Sequence, residues 1–69
     1  MTITISLSTD NAAFHPDTGD ELDFIFRSLA NRVKSMEQDG VRYHLNDLKL
    51  RDSNGNTVGK VTIDAADHP

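Results

Sequence analysis

Three histidines, eleven carboxylates and one short run of oxygen-bearing side chains are the residues of this chain that suggest chemistry. A zinc site needs three or four ligands that converge, often as an i, i+4 pair on a helix. His15, His44 and His68 fall in three separate loops or ends, with no such pair and no glutamate at ligand spacing. They read as unrelated surface residues, and no metal is expected. The run Asp52-Ser53-Asn54-Gly55-Asn56 has the composition of a calcium loop, but that pattern needs glycine sixth and a bidentate glutamate twelfth. Counted from Asp52, glycine is fourth and the twelfth residue is Ile63. The segment is a hairpin turn, with Asn54-Gly55 as a deamidation-prone pair.

Nucleophilic catalysis has little to draw on. The chain has no cysteine, its serines lie in a strand face, a helix face and a turn, and no His–Asp partner has a matching position. Asp20 and Asp23 are explained by the positive end of a helix dipole. One helix on a small sheet also leaves little room for a deep pocket. No catalytic residue and no cofactor is expected, so the chain reads as non-enzymatic.

The elements that position these residues follow from periodicity. Ile3, Ile5 and Leu7 alternate with Thr2, Thr4, Ser6 and Ser8, which predicts a half-buried strand. A connection over residues 9–17 follows, in which Phe14 can plug the core edge and Pro16 delays the helix. Thr18 and Glu21 have capping-box spacing, with Asp17 and Asp20 as a competing cap. Leu22, Ile25, Phe26, Leu29, Val33 and Met36 then share one stripe under about 120° wide, and Gly40 suits a C′ position. The spacing predicts a helix over residues 19–38.

Asn54-Gly55 predicts a two-residue hairpin turn. With Ser53 facing Asn56, Leu50 faces Gly59 and Leu48 faces Val61, which puts Leu48, Leu50, Val61 and Ile63 on one face. A three-residue loop would shift the pairing by one, put Leu48 against Thr62 and turn this set outward, so the two-residue register is favoured. Gly59 lies opposite Leu50, where a missing side chain would allow close approach of the helix. The expectation is an α+β domain over residues 1–64 in the order β1-α-β2-β3, with a frayed tail over 65–69. The favoured sheet is antiparallel in the order 1-3-2, and β1 parallel to β2 through a crossover stays open.

Charge narrows the functional classes. A net charge of −4 argues against a general nucleic-acid binder. No apolar run nears the roughly 20 residues that span a bilayer, and Met1 to Ile5 lack the features of a signal peptide. A cytoplasmic location with no membrane contact is expected. The outward sheet face carries Lys49, Arg51 and Lys60, a mild basic strip without the stacking aromatics of nucleic-acid sheets. It supplies the alternative reading, a weak nucleic-acid-binding module.

Phe24 is the residue that the predicted core does not explain. It lies about 200° round the helix from Leu22, and its neighbours at helical spacing are Asp20, Arg27, Ser28, Asn31 and Ser35. An aromatic ringed by polar side chains resembles an interface anchor, for a foreign protein or a homodimer. The plain alternatives are a cover from the 9–17 loop or the tail, or a tolerated exposed apolar residue.

Two segments, Asp10-Asn11-Ala12-Ala13-Phe14 and Leu50-Arg51-Asp52-Ser53-Asn54-Gly55-Asn56-Thr57-Val58-Gly59, stand on either side of the acidic-started helix. Together they resemble a group of short, largely uncharacterised proteins encoded by bacteriophages and prophages, over nearly the full length. Arg42-Tyr43-His44 looks like a local elaboration on that pattern. The resemblance transfers no catalytic residue. It implies an accessory protein that binds and modulates a host protein, with an anti-defence role of the anti-CRISPR kind as one form.

Overall fold

A computed structural model describes residues 1–37 and 40–64. The expected tail over 65–69, with His68, lies outside the described residues. The architecture is α+β. Strand β1 (Thr2–Leu7) leads through a single 3-10 turn (Ala12–Phe14) into helix α1 (Thr18–Lys34). A four-residue helix α2 (Val41–His44) then precedes β2 (Leu48–Arg51) and β3 (Thr57–Asp64). The sheet has the order β1-β3-β2, with both neighbours antiparallel to β3.

The core is small and sits between α1, the 3-10 turn and the β2–β3 hairpin. Phe14, Ile25, Leu29, Leu45, Leu50, Val58 and Val61 form it, with Phe14 1% exposed and Val61 fully buried. Leu7, Leu22, Val33, Met36, Val41, Leu48 and Ile63 pack around this cluster half-buried. The helix stripe is therefore narrower than its periodicity implies. Phe26, at the margin of the stripe, is 45% exposed and does not belong to the core.

The hairpin reaches its expected pairing by an unexpected route. Leu48 faces Val61 and Leu50 faces Gly59, but Arg51 faces Thr57. Asp52 N–H donates to the Asn56 carbonyl at 2.9 Å, so the loop holds three residues, Ser53, Asn54 and Gly55. Gly55 takes φ +85° while Asn54 does not adopt a positive φ. This matches a three-residue loop closed by a left-handed glycine and corrects the two-residue turn. The slip that such a loop causes is undone by a bulge at Val58, the residue left between Gly59 and Thr57. The bulge also returns Val58 to the core face, where it is buried.

Two buried carboxylates hold this loop. Asp52 is 3% exposed, and its Oδ1 accepts from the Asn54 N–H at 3.0 Å and the Asn56 N–H at 2.9 Å. Its Oδ2 accepts from Asn11 Nδ2 at 3.2 Å and Asn56 Nδ2 at 3.5 Å. Glu21, also buried, accepts from the Ser53 N–H at 2.6 Å and the Ser53 hydroxyl at 2.9 Å. Glu21 is thus spent on the hairpin and does not complete a capping box. The cap is Asp17, whose Oδ1 accepts from the Asp20 N–H at 3.0 Å, while Thr18 Oγ1 donates to the Phe14 carbonyl at 3.0 Å. No buried side-chain nitrogen or oxygen among the described residues lacks a hydrogen bond.

The helix ends four residues before the expected position 38. Ser35 caps it, with its hydroxyl donating to the Arg32 carbonyl at 2.7 Å. Gly40 has φ −89° and opens α2, so it is no left-handed C′ glycine, and Val41–His44 form one helical turn. Gly59 also has a different reason from the one anticipated. A Cβ there would strike the Ser6 carbonyl and come within 2.9 Å of Leu7 Cδ2, so the residue lets β1, and not the helix, approach.

Burial opposes the charge on the Asp52 carboxylate, but the hydrogen bonds from Asn56, Asn11 and Asn54 outweigh it and hold its pKa below the ordinary value. A folded-state pKa below the unfolded one stabilises the fold above the ordinary carboxylate range, and this contribution is lost as pH falls through the folded value. Asp52→Asn is therefore expected to lower the urea midpoint at neutral pH, with the gap to the parent protein narrowing in acid. A gap independent of pH counts against the charge-assisted loop. Gly59→Ala is expected to abolish β1 docking, read as loss of amide protection at Thr4 and Ser6.

Candidate interaction surface

Helix α1 presents its polar face with Phe24 at the centre. Phe24 is 45% exposed, and Asp20, Arg27, Asn31 and Ser35 are exposed around it, with Ser28 half-buried. Neither the 9–17 connection nor any other described residue buries Phe24. The structure thus brings the six residues of the predicted surface onto one side of one helix.

Their polar groups are partly engaged. Arg27 Nε donates to both oxygens of Asp23, at 2.8 and 3.0 Å, one turn earlier on the helix. Both side chains are more than half exposed, so the pair adds at most a few tenths of a kcal/mol. It can be broken at little cost when a partner offers another carboxylate. Ser35 Oγ serves as a cap. The result is an apolar ring with adaptable hydrogen-bonding groups at its rim, the composition of a binding surface.

Three of the four aromatic side chains, Phe24, Phe26 and Tyr43, stay exposed, while Phe14 alone is buried. Sequence periodicity missed Phe26 because it lies only about 100° from Ile25, where a wide apolar stripe and a narrow one predict opposite burial. Tyr43 is 75% exposed on α2. Ile3 and Ile5 are 46% and 45% exposed as well, although both share the helix-side face with Val61 and Ile63. Nothing in strand alternation reveals how far a helix extends across its sheet.

On the opposite sheet face Lys49 stands directly across from Lys60, and both are exposed. Like charges placed opposite each other are unfavourable, so an anion there would be welcome. Arg51 Nη1 is turned to the Gly55 carbonyl at 3.3 Å. Thr2, Thr4, Ser6, Thr57, Thr62 and Asp64 share this face, and no aromatic side chain of the three strands lies on it. Among the described residues there is no enclosed pocket and no group of three or more potential metal ligands. His15 Nε2 lies 3.2 Å from the Asp10 carbonyl. No helix of the described residues is long and apolar enough to cross a membrane.

Comparison with protein-family models, curated proteins and solved structures finds no match for the chain.

Adjacent positions on α1 separate surface from core. Phe24→Asp is expected to cost less than about 1 kcal/mol in urea unfolding, within the range of surface substitutions. Ile25→Asp, one residue on and 2% exposed, is expected to unfold the protein outright. Equal destabilisation by the two variants would mean that Phe24 is buried in solution.

Proposed function

We propose that this protein acts by binding another protein through the α1 face centred on Phe24, without catalysing a reaction. The observation that carries this reading is the exposed Phe24 ring, surrounded by Asp20, Arg27, Ser28, Asn31 and Ser35. A chain with so small a core would gain stability by burying an aromatic side chain, at about 25 cal/mol per Å². Exposed aromatic anchors with polar rims are the groups that dominate protein–protein affinity.

The likeness of the Asp10–Phe14 and Leu50–Gly59 segments to phage-encoded proteins makes a bacterial host protein the partner, met in the cytoplasm. Modulation of a host defence system, of the anti-CRISPR kind, is the form of this activity to test first. The Lys49–Lys60 juxtaposition supports a second reading, weak binding of nucleic acid on the open sheet face with Arg51 contributing. Such binding would weaken steeply with salt.

Quantitative affinity capture from a bacterial host lysate with the parent protein and with folded Phe24→Asp distinguishes these readings. A specific host protein retained by the parent and lost by the variant is the expected result. Its retention by folded Phe24→Asp would overturn the α1 site. Binding of single- or double-stranded DNA that is abolished by Lys49→Glu with Lys60→Glu would support the sheet face instead.

A further inference from the structure

The free edge of β1 is a second feature, independent of Phe24. Ser8 N–H donates to the Val58 carbonyl at 2.8 Å, in the same register that pairs Ser6 with Lys60 and Thr4 with Thr62. Hydrogen-bonded and non-hydrogen-bonded pairs alternate along an antiparallel ladder. The even-numbered residues of β1 therefore bond to β3. The N–H and carbonyl groups of Ile3, Ile5 and Leu7 point to the open side of the strand.

Sheet edges are normally blunted by charge, proline, bulges or a covering segment. The β1 edge has no charge, proline or bulge across Thr2-Ile3-Thr4-Ile5-Ser6-Leu7, its register with β3 is unbroken, and no segment among the described residues pairs with it. The opposite edge is treated differently. Strand β2 is four residues long and carries Lys49 and Arg51, and Arg32 Nη1 donates to the Lys49 carbonyl at 3.4 Å. One edge is protected and the other is left open.

We infer that the β1 edge pairs with β1 of a second copy of this chain, antiparallel and about a two-fold axis. The sequence of the strand is complementary to itself in this arrangement. With Ile5 on the axis, Ile5 faces its own counterpart, Ile3 faces Leu7, and Thr4 faces Ser6. All three outward-pointing residues then exchange backbone hydrogen bonds, and no charge meets a like charge. Parity keeps Ile3, Ile5 and Leu7 of both copies on the helix side of one continuous six-stranded sheet. Ile3 and Ile5, nearly half exposed in one copy, cover each other there. A β1-to-β2 contact would instead run head to tail and leave further open edges, against an edge that Arg32 already occupies.

Solution mass and amide exchange test this on the intact chain. The parent protein is expected to move from 7.6 kDa to twice that mass as concentration rises. The Ile3, Ile5 and Leu7 amides gain protection over the same range. Ile5→Lys places two ammonium groups together at the axis, and Ile5→Pro removes an outward donor that the monomer does not use. Either variant, folded by circular dichroism, is expected to stay monomeric where the parent is a dimer. A parent protein monomeric up to millimolar concentration, with these three amides unprotected throughout, overturns the inference. So does a dimer that survives folded Ile5→Lys, which would place the contact on another face. The folded monomeric variants are expected to retain any partner that depends on Phe24.

Discussion

Two buried carboxylates, Glu21 and Asp52, hold three segments of the chain in one place. Asp52 takes the backbone of its own hairpin loop and the side chain of Asn11, while Glu21 takes both donors of Ser53. Burial of a carboxylate is costly unless its oxygens are hydrogen-bonded. Each of these four oxygens has a donor. In a chain without cysteine and with only seven buried apolar side chains among its described residues, this polar knot performs the tethering that small domains otherwise obtain from cross-links.

The exposed surfaces follow from where that knot lies. It fixes the start of α1 at the β2–β3 loop, and Arg32 ties the last turn of the helix to β2. The helix is thereby committed to the hairpin side of the sheet. Strand β1, beyond β3, is held by its ladder and by Gly59, which has no side chain to keep it away. Ile3 and Ile5 remain half-exposed for this reason. Phe24 faces away from the core for a different one, since it sits on the side of α1 that the core never reaches.

The fold class, the strand order and the residue pairs Leu48–Val61 and Leu50–Gly59 were legible in the sequence, because strand parity and one amphipathic helix leave few consistent arrangements. The hairpin loop was not. Asn-Gly favours a two-residue turn locally, but Asp52 stabilises a longer loop through donors that become its neighbours only in the folded chain. Glu21 carried a similar ambiguity, since its spacing from Thr18 suits a cap and its true partner is 32 residues away. The exposure of Phe24 could be read from its angle on the helix. That of Phe26, Ile3 and Ile5 depends on how much of the sheet one helix covers, which no local pattern states. Asn11 and Asp52, 41 residues apart, meet directly in the fold.

Native-state hydrogen exchange at the hairpin loop tests the central claim most directly. The Ser53, Asn54 and Asn56 amides lie in an exposed loop and donate to carboxylate side chains. If Glu21 and Asp52 anchor the fold, these amides exchange only through global unfolding, as slowly as those of strand β3. Exchange at the rate of an open loop while β3 stays protected would contradict the account.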